Sequence, residues 1–319
     1  MAYKRERAAL EELKVALASR VARLIGRVEK QATAIPRLTL HQRTAPTAAC
    51  HVIYDPRVIV VVQGRKEVQI GKDTLIYDSS RYLLTSVDLP TVTRVSEASE
   101  EAPCLAVALN LDLSIVREFL SREEFHTREV PTESPAMCIC PVTLEFLSAW
   151  CRMLDLLSHP EDIPFLAGLL EREIIYRILR GPEGARLRAV ATLGDQSHRT
   201  AKAITWIKTN YRRPLRVEEL AEIAGMAVST LHHHFRALTA MSPLQYQKQI
   251  RLQAARARML ADDVDAATVA FEVGYESASQ FNREYSRLFG QPPIRDVRNL
   301  RLPAGARPAP APPSRQAYE

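Results

Sequence analysis

The feature that most constrains this chain is an internal repeat in its last third. Leu220-Ala221, Gly225, Leu231 and Phe235 are echoed by Val269-Ala270, Gly274, Phe281 and Tyr285. The two alanines lie 49 residues apart, as do the two glycines, and the second copy is one residue longer before its next apolar anchor. In the first copy Val217, Leu220, Ala221 and Ala224 follow the i, i+3, i+4, i+7 spacing that buries one face of a short helix. Alanine is small where a second helix must cross closely. Glycine ends the first helix, because it enters the left-handed conformation without strain. Leu231, Phe235 and Leu238 then anchor a second helix and leave its other face free. Each copy therefore predicts a helix-turn-helix, a unit whose second helix fits the major groove of DNA.

Ser242-Pro243 opens a long helix between the copies, with serine suited to the N-cap and proline to the first helical position. Tyr246, Ile250, Ala254 and Ala257 predict its apolar stripe, and its end is expected near Ala261. About twenty residues at roughly 1.5 Å each give a rod of roughly 30 Å. Successive major-groove faces on one side of B-DNA are roughly 34 Å apart, so such a rod suits two reading heads on consecutive turns.

Charge is distributed to match. The chain carries +6 overall, yet residues 1–198 hold 25 Lys and Arg against 26 Asp and Glu, whereas residues 199–301 hold 16 against 10. The excess sits with the repeat, where it favours a polyanion through counterion release. A solvated basic surface is the alternative on charge alone.

Upstream the texture differs. Leu10, Leu13, Leu17, Val21, Leu24 and Val28 form one helical stripe, read as a helix docked on the following domain. From Ile35 to about Leu111 short apolar runs alternate with turn residues, and six of them (57–63, 67–70, 74–77, 82–86, 91–95 and 104–109) read as strands. After Asp112 the pattern becomes helical, with a pair at Leu144–Leu157 and Phe165–Leu179 closed by Gly181-Pro182 and Gly184. Leu193–Ser197 reads as the interdomain linker, and the proline-rich residues from Leu302 as a disordered tail. The expected fold class is α+β: an antiparallel, cupin-like β-barrel or sandwich with flanking helices, then an all-α double helix-turn-helix. The expected divisions are 1–34 (N-terminal helix), 35–192 (regulatory), 193–301 (DNA-binding) and 302–319 (tail).

Residues 200–296 resemble the DNA-binding domain of the AraC/XylS family of bacterial transcription regulators. The resemblance rests on Leu220-Ala221 with Gly225-Met226, on Phe235, and on Ser242-Pro243-Leu244-Gln245-Tyr246. It continues through Val269 to Ser277, Gln280-Phe281, Arg283, Phe289-Gly290 and Pro293. The chain departs from the pattern at Asp296-Val297, where members often carry an aromatic and an arginine that supply a last phosphate contact. The N-terminal half resembles the AraC-type regulator N-terminal domain, at Tyr54-Asp55-Pro56, Val62 to Lys66, Gly71, Tyr82-Leu83-Leu84, Ser86 to Pro90, and Pro103 with Leu105-Ala106. These resemblances imply double-stranded operator DNA and RNA polymerase as partners, and an N-terminal half that senses a small-molecule effector or forms a homodimer. The helical segments 142–180 are the expected dimerisation surface, although their apolar stripes suit intrachain core equally well. A rival reading from another class is a metal-free ligand-binding or interaction protein whose basic helical domain contacts a protein.

By the same resemblance Ser229, His232 and His233 on the first recognition helix, and Ser279, Gln280, Asn282 and Arg283 on the second, are base-edge candidates. Arginine pairs bidentately with guanine, and Asn or Gln with adenine. Arg283 suits a phosphate equally well, and Arg236 and Arg287 are phosphate candidates. Ala221, Gly225, Leu231, Phe235, Ala270, Gly274 and Phe281 are the structural positions of the two units. Successive helical residues point about 100° apart, so His232, His233 and His234 do not converge on one metal ion. His41 and His51 are the only histidines of the expected barrel and lack a metal-ligand spacing, and no P-loop or nucleophile elbow appears. Catalysis, metal and cofactor are therefore not expected. The five scattered cysteines suit a reducing cytoplasm and read as buried or idle, and no apolar run reaches membrane length.

Overall fold

The computed structural model describes residues 2–122, 135–262 and 264–301, so the expected disordered tail lies outside the described residues. Helix α1 (Ala2–Ile25) buries Leu17, Val21 and Ile25 and stops at Gly26, whose φ is +60°. Val28, placed on the stripe by its spacing, lies beyond the helix and is half exposed.

Ten strands follow among the described residues: β1 (Lys30–Ala32), β2 (Leu38–Arg43), β3 (Cys50–Tyr54), β4 (Arg57–Gln63), β5 (Arg65–Ile70), β6 (Asp73–Tyr77), β7 (Arg81–Thr85), β8 (Leu89–Glu97), β9 (Cys104–Asn110) and, after helix α2 (Leu113–Leu120), β10 (Met137–Pro141). They pair antiparallel into a six-stranded sheet, β1-β2-β9-β4-β7-β10, and a four-stranded sheet, β3-β8-β5-β6. The six-stranded sheet is covered on both faces. Val58, Val60, Val62, Leu105, Val107 and Leu109 face helices, while Ile59, Val61, Ala106 and Ala108 face the second sheet. This explains the unbroken run in β4, since a strand buried on both sides has no polar face to alternate with. β10 corrects the expectation that everything after Asp112 is helical. Its five residues run too briefly for a period, and only their long-range pairing with β7 makes them a strand.

The helical layer comprises α3 (Leu144–Asp155), α4 (Ile163–Arg180) and α5 (Gly184–Ala191). α5 is a second correction, because Gly184 was expected to close the helical pair and instead begins a helix. A Cβ on Gly184 would stand 2.3 Å from the carbonyl oxygen of Leu179, so glycine permits this tight turn. The expected linker is also shorter, since α6 (Gln196–Asn210) begins inside it behind the N-cap Asp195.

The remaining helices are α7 (Val217–Ala224), α8 (Val228–Thr239), α9 (Pro243–Ala261), α10 (Ala266–Glu272), α11 (Ala278–Phe289) and α12 (Pro293–Arg301). The sandwich interior and helices α6–α8 share one apolar cluster that includes Val68, Leu83, Ile204, Leu220, Leu231 and Phe235. Met259, Val269, Phe281 and Tyr285 belong to another. Helix α9 serves both: Tyr246 and Ile250 enter the first cluster, Leu252, Ala255 and Met259 the second. Its expected stripe is thus wrong at its far end, where Ala257 is exposed, because the buried face turns as the helix passes from one core to the other.

Candidate nucleic-acid interface

The two turns repeat in hydrogen bonds as well as in sequence. Gly225 has φ +63°, its N–H donates to Glu222 and the N–H of Met226 donates to Ala221. Gly274 has φ +94°, its N–H donates to Phe271 and the N–H of Tyr275 donates to Ala270. Both helices therefore end in a Schellman motif that satisfies their last carbonyls.

Beyond each turn the recognition helix divides into two faces. In α8 Leu231, Phe235 and Leu238 are buried, whereas Ser229, His232, His233 and Arg236 are exposed. In α11 Phe281, Tyr285 and Leu288 are buried, whereas Ser279, Asn282, Arg283 and Arg287 are exposed. Gln280 differs. It is half-buried and its amide donates to Glu284 at 3.1 Å. The same carboxylate accepts from Lys248 of α9 and from the hydroxyl of Tyr275, each at 2.8 Å. Burial pushes the Glu284 carboxyl up, but these three donors outweigh it and hold it below the usual range.

The spacing of the heads is fixed by contacts that sequence reasoning missed. Helix α9 has a complete capping box, with Ser242 and Gln245 reciprocally bonded, and spans 19 residues, roughly 28 Å at about 1.5 Å each. Gln247 donates its amide to the carbonyls of Tyr211 and Arg213, and Arg251 one turn later donates to those of Tyr211, Arg212 and Arg213. The carbonyl of Arg212 also abuts Gly274, where a Cβ would approach it to 2.2 Å. The segment after α6 is thus wedged between the connecting helix and the second turn. Two polar residues at i and i+4, Gln247 and Arg251, are the only signal of this contact in the sequence.

Asp296 is 2% exposed. Arg256 grips it bidentately at 2.7 and 2.9 Å, the hydroxyl of Tyr285 donates to it at 2.7 Å and the amide of Gln291 at 3.2 Å. The departure from the family pattern here is a buried acceptor that ties α12 to α9 and α11.

The β-rich domain holds both heads. Lys208 of α6 bonds Asp55 at 2.9 Å and Asp88 at 2.5 Å, and Tyr246 donates to the carbonyl of Asp88. Burial pushes the Asp88 carboxyl up against the opposing pull of Lys208, whereas at the less buried Asp55 the Lys208 bond prevails and the carboxyl is held low. The N–H of Ala136 donates to the carbonyl of Leu238 at the end of α8. His51 of β3 packs edge-on against Phe289 of α11 at 5.2 Å, and burial, aided by Arg256, pushes its imidazole down to about 4. Between α2, α5, α6 and α7 lies a cleft of about 440 Å³ lined by Leu113, Arg117, His198, Lys202 and Trp206, among others. Among the described residues no group of three or more His, Cys, Asp or Glu side chains forms a metal cluster. Cys104, Cys138, Cys140 and Cys151 are buried and Cys50 is exposed.

Two family models match in succession: the AraC-type transcriptional regulator N-terminus over residues 34–186 and a helix-turn-helix domain over residues 220–299. The chain belongs to the AraC/XylS family. Within that family it is 30% identical over 105 residues to the transcriptional activator RhaS of Yersinia pestis (strain Pestoides F), covering 33% of this chain and 38% of RhaS. It is 26% identical over 149 residues to the transcriptional regulator ArgR of Pseudomonas aeruginosa, covering 47% of this chain and 45% of ArgR. The chain therefore matches under half the length of these curated relatives. Similarity in fold extends further. ToxT from Vibrio cholerae superposes with a TM-score of 0.55 at 13% identity, over 85% of this chain and 98% of that one. A second ToxT structure, with an unsaturated fatty acid bound, gives 0.55 at 10% identity over 82% and 94%. This AraC/XylS chain thus shares the ToxT arrangement of antiparallel sheets followed by a helical domain with two helix-turn-helix units. No helix among the described residues is long and apolar enough to cross a membrane.

Proposed function

We propose that this chain is a sequence-specific DNA-binding transcription regulator whose two helix-turn-helix units enter consecutive major grooves of double-stranded DNA. The observation that carries the reading is the pair of recognition helices, each exposing a polar face, joined by one capped helix of nearly a groove repeat. Ser229, His232 and His233 read base edges from α8, and Ser279, Asn282 and Arg283 from α11. Arg236 and Arg287 hold phosphates. Gln280 positions the second helix through Glu284 before it reaches a base.

In this reading residues 35–192 form the regulatory unit and 193–301 the DNA-binding unit, and the chain acts in the cytoplasm as a homodimer without catalysis. A small-molecule effector alters the docking of the β-rich domain on α6 and α9, and RNA polymerase is the downstream partner. The ToxT structure with a bound fatty acid supports the effector by analogy of fold.

The test is binding to promoter fragments against random DNA over a salt series. A site protected over two adjacent turns, and a preference that survives moderate salt, are expected. Binding that disappears with salt and shows no preference overturns the reading and favours a protein partner for the basic domain.

A further inference from the structure

Cys138 and Cys140 stand two residues apart on β10, so both side chains leave the same face of the strand. They enter the apolar cluster that also holds Phe146 and Trp150 of α3. Their sulfurs lie 3.8 Å apart, one thiol donating to the other, and the residues are 7% and 1% exposed. Taken one at a time, the five cysteines read as idle; the fold brings these two into contact. The bond between them holds the Cys140 thiol below its usual range, against burial, and pushes Cys138 up, where burial adds to it. Tyr82, opposite Cys140 in the β10–β7 ladder, also bonds the Cys140 sulfur through its hydroxyl.

We propose that Cys138 and Cys140 form a two-thiolate site for one soft monovalent metal ion, Cu(I). Thiolates select such ions. Metal–sulfur bonds of about 2.3 Å span sulfurs 3.8 Å apart at an angle of about 110°, and become linear if the sulfurs part to about 4.6 Å. The ion displaces both thiol protons, so two neutral thiols and one monovalent cation become a site of net charge −1. The Arg186 guanidinium favours that charge and the Glu183 carboxylate opposes it. Zn(II) suits the pair poorly. A structural zinc takes four ligands, and among the described residues no third His, Cys, Asp or Glu completes a cluster here. A disulfide suits it less well than the ion. The sulfurs would have to close from 3.8 Å to about 2.05 Å, while residues i and i+2 of an extended strand keep their Cα atoms about 6.6 Å apart, near the upper end of the disulfide range. Pairing of Met137–Pro141 with β7 holds that spacing. β10 is the edge strand of its sheet, which places the pair at the rim. The same strand is tied to the first recognition helix, since Ala136, two residues before Cys138, bonds the carbonyl of Leu238.

The test uses the full chain, reduced and under argon, titrated with Cu(I) against a chromophoric Cu(I) chelator. One ion per chain is retained, with two sulfur neighbours and no nitrogen in X-ray absorption. Loss of a partner behind a metal ligand costs about 10–100-fold in affinity, so Tyr82→Phe, which keeps the stacking on Phe146, weakens binding about tenfold. Cys138→Ala and Cys140→Ala each remove a ligand outright and weaken it at least about a hundredfold. Cys50→Ala, at the exposed cysteine, changes nothing. If a cysteine variant fails to fold, the absorption spectrum and Tyr82→Phe still decide. Binding also slows amide exchange over residues 136–141, and copper held without that change overturns the placement in β10. Copper stripped by the chelator, nitrogen neighbours, loss of binding with Cys50→Ala, or equal retention of Zn(II) overturns the site. So does a chain that retains no copper but passes two thiol protons and two electrons to hydrogen peroxide, giving water and a 138–140 disulfide.

Discussion

Tyr246, on the helix that joins the two reading heads, donates its hydroxyl to the backbone carbonyl of Asp88 in the β-rich domain at 2.9 Å. The same ring packs edge-on against Phe235, the anchor of the first recognition helix, at 5.5 Å. One side chain therefore touches the regulatory sandwich, the first head and the connector. Tyr246→Phe keeps the packing and removes only the hydrogen bond, at a cost of about 1 kcal/mol. Hydrogen exchange is expected to show faster opening at the 86–90 turn and in α9, with little change in α11. Uniform exchange across the chain would mean that this bond does not couple the domains.

The two turn glycines look equivalent in sequence and are not equivalent in the fold. Gly225 has φ +63° with nothing within 4 Å of where a Cβ would stand. Gly225→Ala meets only the left-handed penalty, about 1 kcal/mol. Gly274→Ala adds a 2.2 Å clash with the Arg212 carbonyl to a φ of +94°. Its cost is about 3 kcal/mol, because backbone must move. Thermal melts of the two variants should differ by several degrees, with Gly274→Ala lower.

His51 makes the contact between β3 and α11 sensitive to acid. Its imidazole faces Arg256, which disfavours its charge, and Asp296 and the Leu288 backbone, which favour it, but burial dominates and brings it to about 4. In the unfolded chain histidine titrates near 6.5. The folded state thus binds fewer protons, and its stability is complete above about pH 6.5 and falls as pH drops toward 4, by about 1.4 kcal/mol per pH unit. His41, pushed by burial to about 3, adds a similar slope. His51→Phe, which can stack on Phe289, should remove one of these two contributions from melts between pH 7 and 5. An unchanged slope would place His51 in water.

At Asp296 a buried ion pair replaces what the family pattern offers. Asp296→Ala strips the partner from Arg256, which is only 15% exposed, and should cost about 3 kcal/mol or more. Replacing both, as Arg256→Met with Asp296→Leu, should recover most of that loss in urea unfolding. Failure of the pair to recover would show that the Tyr285 and Gln291 bonds, rather than the uncompensated charge, set the cost.

Local patterns carried most of what was legible in the sequence. The repeat located both turns, and Ser242-Pro243 located the start of α9, because capping and left-handed glycine depend on neighbours a few residues away. Six strands were visible as apolar runs. β1, β2, β3 and β10 were not: β1 is three residues long, and LTLHQR, CHVIY and MCICP acquire their character from partners 35 or more residues distant, as in the pairing of Leu38 with Leu109, Cys50 with Thr93 or Met137 with Thr85. The site showed the same limit. The exposure of the candidate positions other than Gln280 followed from helical phase, but the contacts of Lys208 with Asp88, Arg251 with Tyr211 and Arg256 with Asp296 join residues 40 to 120 apart and left no trace in any window.

Arg283 is the residue on which the reading of the second head is best tested. It is exposed on α11, one position beyond Asn282 and on the side away from the buried Phe281 and Tyr285. A guanidinium there suits the O6 and N7 of guanine bidentately, and such a pair discriminates by about 1–3 kcal/mol. Selection of binding sites from a random library with Arg283→Ala should then relax preference at one base pair and leave the others intact. If the guanidinium instead holds a phosphate, the variant will bind every sequence more weakly by the same factor, and the slope of log K against log salt will shrink by about 0.9. The same library applied to His232→Ala and His233→Ala should change less, because an imidazole turns one ring nitrogen toward a base edge where arginine presents two N–H groups side by side.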